Sequence, residues 1–503
     1  MTAADDGAAF RERYDAGAAQ IVTRRIASDL ETPVSAYLKL AGGRAPAFLL
    51  ESVEGGERLG RYSIVGRDPD LVWTARDGRV EIEDVDENRR ETDDRPAVES
   101  LKAFVDAARI SARPDDARDR PPMSAGVFGF LSYDMIREIE RLGERPPPGV
   151  DAPEARFIRP RLIAAFDNVR QEIVLATPAR PAAGLAANDA YETAIARLDA
   201  ATADLRRDLG DEARAFPVDI SQAEDPFAEV SSNRTPEDYC AAIDRAKAYI
   251  EAGDVFQTVL SQRFEAPFDR PAFDLYRAVR RTNPSPFLFF LDFGDGALVG
   301  SSPEILVRVR GGEVTIRPIA GTRPRGRDAA ADAANEADLL ADPKERAEHL
   351  MLLDLGRNDV GRAAAMGTVR GDERFAVERY SHVMHIVSNV TGDLRDGLHP
   401  VDAVMAGFPA GTVSGAPKIR AMQIIDELEP SARGPYAGAI GYFSADGDVD
   451  TCIALRTAYV KDGVMSVQAG AGIVADSDPL AEHEECLNKA RALFAAAAIA
   501  RRR

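Results

Sequence analysis

From about Ile21 to Leu175 the chain alternates short apolar runs with polar turns, as in "PAFLLESV", "RYSIVG", "LVWTA", "RVEIEDV", "AGVFGFLSYD" and "EIVLAT". Short apolar runs bounded by turn residues predict strands. Proline-rich segments, "RDRPPM" and "RPPPGVDAPE", interrupt them, and a helical period follows near Asp189–Leu209. The acidic, irregular stretch "GDEARAFPVDISQAEDPFAEVSSN" then divides the chain into two regions, 1–230 and 231–503. The second opens on "TPEDYCAAIDRAKAYIEAGD", whose Thr-Pro start, helical apolar spacing and closing Gly253 predict a helix. "VFQTVLSQRFEA", "PFLFFLDFGDGALVGSSPEILVRV", "GEVTIRPIAGT" and "HVMHIVSNV" predict further strands, with helices from Asp342, after Gly415 and at the C-terminus. Strands dominate and helices fall irregularly between them, which predicts an α+β fold rather than a doubly wound βαβ one.

Composition narrows the function classes. The 503 residues are 45% hydrophobic and 29% charged, a globular balance. No apolar run approaches the roughly 18–20 residues that span a bilayer, and the acidic start "MTAADDGAAFRERYD" lacks a secretory h-region. Three widely spaced cysteines, Cys240, Cys452 and Cys486, fit a reducing compartment rather than a disulfide framework. A net charge of −20 disfavours nucleic acid and anionic membranes as partners. It leaves room for an anionic substrate, provided the site gathers its own cations.

Four segments carry candidate chemistry. In "ADPKERAEHLMLLDLGRND", Asp342 predicts an N-cap with Pro343 opening the helix. Glu345 and Glu348 are three apart and share a face; D-x-x-E is also capping-box spacing for Glu345, whereas capping does not account for Glu348. In "DSDPLAEHEECLNKARALF", Glu482, Glu485 and Lys489 form one helical stripe. That stripe is either a solvated, salt-bridged face or, meeting the first pair of carboxylates, a place for a hard cation such as Mg²⁺ with an anionic substrate. In "GFPAGTVSGAPKIRAMQIIDEL", glycines precede a helix beginning near Ser414–Pro417, whose open N–H groups favour an anion. The spacing is not that of a Walker A loop, so a carboxylate is expected there rather than a nucleotide. In "SHVMHIVSNV", alternation puts His385 on the face of Val383, Val387 and Asn389, where a buried, hydrogen-bonded imidazole is the default. His349, His382, His399 and His483 show no zinc-ligand pattern with it.

Together these segments resemble the chorismate-utilising enzymes, and among them the large subunit of anthranilate synthase. The resemblance is carried, in order, by "LLES", "PIAGTRPRG", "KERAEHLMLLDLGRNDVGR", "HIVSNV", "GTVSGAPKIRAM", "GPYAGAIGY", "CIALRT" and "QAGAGIVADSDPLAEHEECLNKA". It implies two large, orthogonally packed β-sheets flanked by helices, with an N-terminal regulatory region (1–230) packed on a catalytic region (231–503). It also implies Mg²⁺-dependent conversion of chorismate and ammonia to anthranilate and pyruvate, the first committed step of tryptophan biosynthesis, in the cytoplasm.

The same resemblance assigns roles. Glu348 and Glu485 match the Mg²⁺ ligands, with Glu345 and Glu482 as their partners. Thr412 and the backbone of Gly470, Ala471 and Gly472 match the group around the ring carboxylate. Tyr436, Arg456 and Lys489 match the grip on the enolpyruvyl carboxylate, and Gly321 and Thr322 border the substrate. Glu345 is the implied acid for the C4 hydroxyl and His385 the implied helper in losing the C2 proton. Ala320 stands where aminodeoxychorismate-forming relatives carry a lysine, and Gln257 where isochorismate formers carry a lysine base. Both leave C2 open to ammonia. Glu51 and Ser52, with Asn283, Pro286, Phe287 and Leu288, resemble a feedback site for L-tryptophan. No cysteine stands in a nucleophile-elbow context, so a separate glutamine amidotransferase (glutaminase) subunit is the implied partner, in a hetero-oligomer. The rival readings are aminodeoxychorismate synthase and a catalytically silent tryptophan-sensing subunit.

Overall fold

The computed structural model describes residues 3–54, 58–111, 120–214, 216, 225–379 and 383–502; His382 lies outside them. Two long strands, Arg58–Arg76 and Ala155–Asp167, organise the molecule. They pair antiparallel from Tyr62↔Asp167 to Ala75↔Ala155, with an irregularity between Pro69 and Leu71. Asp68, at φ 57°, sits in that bend. Bulges increase local twist and redirect a strand, and here the two halves of each long strand serve different sheets.

The first sheet continues from Arg58–Arg76 through Ala47–Glu54, Phe287–Asp292, Ala297–Ser302, Thr457–Lys461 and Val464–Ile473 to Gln257–Pro267. The second runs from Ala155–Asp167 through Gly126–Leu131, Ala439–Ser444, Val449–Ile453, Ile305–Arg310 and Glu313–Ile316 to Val383–Asp393. Every pairing in both is antiparallel. The α+β architecture of large sheets with flanking helices is therefore present. Strand pairing also crosses residue 230, in Phe287↔Ser52 and Ala439↔Leu131.

Alternation along the strands sorts the core into layers. Phe48, Phe289, Leu291 and Leu298 of the first sheet meet Phe128, Phe130, Ile440 and Tyr442 of the second in one cluster. Their neighbours Leu49, Leu288, Phe290 and Val299 face the other way, onto the helices Ala272–Thr282 and Pro479–Arg501. Val127, Leu131, Ala439 and Phe443 likewise pack beneath Ala97–Ala108 and Pro400–Gly407. The capping signals form as expected: Asp342 accepts from the N–H groups of Lys344 and Glu345, and Asp478 from Ala481. Several helices were not anticipated, among them Pro33–Leu40, Ala97–Ala108, Ala272–Thr282, Ala329–Ala341 and Pro400–Gly407. Another begins later than expected, at Lys418, because Gly415 and Ala416 extend the sheet by pairing with Thr258 and Gln257. No helix among the described residues is long and apolar enough to cross a membrane.

Candidate active site

Where the end of the first sheet meets Ile319–Pro324 and Val383–Asp393, a cleft of about 290 Å³ opens. It gathers residues from segments far apart in the chain: Glu304; Ala320, Gly321 and Thr322; Glu348; His385; Thr412; Tyr436; Arg456; Gly470 and Gly472; Glu485 and Lys489. Gly321 is the bulged residue between Ala320 and Thr322 in the pairing with Val383–Asp393. Its φ of 74° is open to glycine and strained for other residues. A Cβ there would also stand 3.1 Å from Glu345 Oε2. Arg456 holds a φ of 46°, strain of the kind that collects at binding sites.

The floor is the ladder between Gln257–Pro267 and Val464–Ile473, in which Ser261, Leu260 and Val259 oppose Gly470, Ala471 and Gly472. A Cβ on Gly470 would meet Leu260 O at 2.7 Å and the Tyr436 hydroxyl at 2.9 Å. One on Gly472 would meet Gln257 Nε2 at 2.5 Å. Ala471, between them, is outside the cleft lining, its methyl buried in the cluster with Tyr239. Beneath the floor lies a buried ion pair. Arg433 donates to both oxygens of Glu429, to Val259 O and to Val413 O, all at 2.7–2.9 Å, so it fixes two walls of the cleft at once. Gln257 is buried beside Gly472, and its Oε1 is an acceptor with no hydrogen-bond partner among the described residues.

The acidic residues converge from two helices. Burial raises the Glu348 pKa first, and the like charges of Glu345 and Glu485 raise it further. Glu482 is raised by burial and then by Glu485, against help from Ser477 and Lys489. Lys489 Nζ lies 2.6 Å from Glu485 Oε1 and donates to Gly470 O at 2.8 Å. Glu345 accepts from Arg323 Nη1 at 2.9 Å and stands behind Gly321 rather than in the cleft lining. Gln257 and Glu482 are likewise beside the cleft, not in its lining. Among the described residues no group of three or more His, Cys, Asp or Glu side chains is drawn together for a metal. Two crowded carboxylates, all-oxygen donors, are nonetheless the partial set that Mg²⁺ accepts when a substrate supplies further oxygens.

One residue that the sequence reading passed over stands out. Glu304, in the turn after Ala297–Ser302, is 7% exposed and lines the cleft. Burial pushes its carboxyl up to about 8, against the pull of a hydrogen bond from Thr412 Oγ1 at 3.0 Å. Across the cleft, His385 Nδ1 donates to Gly321 O at 2.9 Å, with Thr322 Oγ1 at 3.1 Å. A carbonyl can only accept, so Nδ1 carries the hydrogen and the basic lone pair is on Nε2. Burial lowers the His385 pKa and favours this neutral form.

The segments expected to hold tryptophan are adjacent strands, with Phe287 opposite Ser52 and Leu288 opposite Glu51. Alternation splits them. Leu288 is packed on the helix side of the sheet, where Arg280 donates to both oxygens of the buried Glu51, at 2.7 and 3.0 Å, and Tyr276 also donates to it. Phe287 packs with Leu50 on the opposite, inter-sheet side. Ser52 lies on that side too, close enough to Gly60 that a Cβ there would meet Ser52 Oγ at 2.5 Å. Asn283 caps the helix Ala272–Thr282, its Nδ2 buried with no partner among the described residues, and Pro286 is half-buried just before the strand.

A cleft between large antiparallel sheets, gathered from both sheets and from two helices that each bring a glutamate, is the architecture of the chorismate-binding enzymes. The model of that family, described as chorismate binding enzyme, matches residues 46–495. The chain belongs to this family and is an enzyme. It is 51% identical over 504 residues to anthranilate synthase component 1 of Cereibacter sphaeroides, covering 97% of this chain and 96% of that one. It is 47% identical to the Thermus thermophilus protein of the same name, covering 94% and 96%. The crystal structure of anthranilate synthase component I from Streptococcus pneumoniae superposes with a TM-score of 0.75 at 36% identity, over 94% of this chain and 99% of that one. The menaquinone-specific isochorismate synthase of Escherichia coli, at 21% identity and a TM-score of 0.69 over 95% of each chain, shares the fold.

Proposed function

We propose that the chain is the chorismate-binding component of an anthranilate synthase, converting chorismate and ammonia to anthranilate, pyruvate and water. The observation that carries this reading is one cleft lined by Glu304, whose carboxyl burial keeps protonated, by His385, which burial keeps neutral, and by Ala320, which offers a methyl and no amine. In the first step a C–N bond forms at ring C2, the double bond shifts, and the C4–O bond breaks. Glu304 gives its proton to the departing oxygen, which leaves as water. Glu304 suits this better than Glu345, whose carboxylate is engaged by Arg323. In the second step His385 Nε2 takes the C2 proton, the ether bond to the enolpyruvyl group breaks, and the enolpyruvate collects a proton to become pyruvate.

Two carboxylates of the substrate need cationic and N–H donors. Lys489, Arg456 and Tyr436 line the cleft for one of them. Glu348 and Glu485 would hold a Mg²⁺ ion beside the other, with Thr412 and the Gly470–Gly472 backbone near it. When bound, that ion would offset the crowd of acidic side chains and polarise the ring carboxylate. The ammonia is supplied by a separate glutaminase subunit; the relatives' name, component 1, supports the existence of a second component.

The test is direct. Purified protein with chorismate, Mg²⁺ and ammonium at about pH 8, near the Glu304 pKa, is followed by anthranilate fluorescence and pyruvate release. Both rise together on this reading; chorismate consumed without either product points to a 4-amino or isochorismate chemistry. We extend the reading to feedback by tryptophan, supported by Ser52 and Phe287 facing each other across one strand pair. Ser52→Phe should leave ammonia-dependent turnover within about twofold while raising the tryptophan concentration for half-inhibition by roughly tenfold or more. Unchanged inhibition in that variant removes the site.

A further inference from the structure

Glu304 and Thr412 form a partition. One side faces the substrate cleft, and the other faces a separate cavity of about 20 Å³. Apolar groups, among them Leu352, Leu355 and Ala410, make up most of its wall, and Asp359 supplies a second carboxylate. A cavity needs about 10–15 Å³ and two or more polar partners to hold a water, and this one meets both conditions. Asp359 is 4% exposed and accepts two hydrogen bonds from Lys418 Nζ, each at 2.8 Å. Among the described residues, the only side-chain hydrogen bond made by the Glu304 carboxyl is the one it accepts from Thr412. An acid that donates its proton into the cleft must recover one, and while substrate or intermediate fills the cleft the open route is the rear one.

We propose that this cavity holds one water joining Glu304 to Asp359, and that Asp359 is the positioning residue through which Glu304 regains its proton. The idea rests on Glu304 being the acid of the reaction above. After the C4 oxygen has left as water, Glu304 is a carboxylate. The cavity water gives it a proton and takes one from the Asp359–Lys418 pair, which recovers its own from solvent; no bond other than O–H and N–H changes. The charged groups facing the pair are Arg362, which acts on both members, and Glu140, which acts on Lys418. Thr412 is the group facing Glu304.

The half-reactions separate this role from simple support of the fold, because loss of pyruvate from the 2-amino intermediate needs His385 and not Glu304. Asp359→Asn should lower kcat with chorismate and ammonium roughly tenfold or more, leave KM for chorismate unchanged, and convert added aminodeoxyisochorismate at the wild-type rate. Ala410→Val displaces the water without touching a charge and should show the same split, which guards against poor folding of the first variant. A high-resolution crystal structure should place a water between the two carboxyls. A dry cavity, a full-rate Ala410→Val, or an Asp359→Asn protein slowed equally in both halves overturns the relay. Wild-type protein that makes anthranilate from neither compound removes the function beneath it, and the relay with it.

Discussion

Glu51 and Glu304 are both buried glutamates, 3% and 7% exposed, yet the fold treats them in opposite ways. Beside Glu51, between the first sheet and the helix Ala272–Thr282, Arg280 and Tyr276 supply three hydrogen bonds. Glu304, at the cleft, has among the described residues only the Thr412 hydroxyl as a side-chain hydrogen-bond partner, and the carboxyl keeps its proton instead. A buried charge has to be paired or removed. Pairing fixes the group in place and makes it a strut, here directly behind the strand expected to hold tryptophan. Protonation leaves it poised to give the proton away. The two glutamates thus mark the supporting and the reacting regions of one molecule.

The sharpest way to break this contrast is Glu304→Gln, which keeps the shape and the bond from Thr412 but has no proton to donate. Turnover of chorismate with ammonium should fall about 10²–10⁴-fold, the usual worth of a positioned acid, with KM for chorismate little changed. In the wild type, rates corrected for free ammonia should decline above about pH 8 as Glu304 ionises, and the variant should lose that limb. A variant within a few-fold of wild type would return the acid role to another residue.

At Glu51 the expected effect is on stability rather than chemistry. Arg280→Met removes the cation and leaves a carboxylate whose side chain is wholly buried. Breaking one partner out of a buried pair costs about 3–5 kcal/mol; Arg280 is itself 28% exposed, so the lower end, about 3 kcal/mol, is expected. The urea midpoint should drop accordingly while ammonia-dependent kcat below the transition stays near wild type. Activity lost in step with stability would mean that the two regions are not separate.

Which parts of this were legible in the sequence follows from how local each signal is. Asp342-Pro343 and Asp478-Pro479 announce helix starts because capping is settled within one turn. Glu348, Glu485 and Lys489 were visible as helical stripes, and His385 as one position of an alternating strand. Period two shows that Ser52 and Glu51 face opposite ways, but not which of them faces the helices; that depends on the neighbouring sheet. Glu304 was invisible for a plainer reason. It follows "SSP" in an apolar hairpin, with no partner at meaningful spacing, and its hydrogen-bond donor Thr412 lies 108 residues further along the chain. The cavity behind it draws on two segments more, around Ile316–Pro318 and Leu352–Asp359, and has no sequence signature at all.

The smallest predicted effect reads the Glu304 proton without any substrate. Its carboxyl titrates near 8 in the folded chain, against 4.5 ordinarily. Below about 4.5 both folded and unfolded chains hold the proton, and the group costs nothing. Between the two values the folded state keeps a proton that the unfolded state has released, so stability falls as pH rises, by at most about 1.4 kcal/mol per pH unit. Above about 8 both forms are ionised and the slope vanishes. Glu304→Gln has no such titration, so the variant should gain on the wild type as pH rises, by about 1 kcal/mol between pH 7 and 8. Comparing urea midpoints of the two proteins at those pH values isolates this one group, since the other titrating residues are common to both. A constant difference would mean that Glu304 is ionised in the folded protein at neutral pH, and the distinction between a paired and a protonated glutamate would fall.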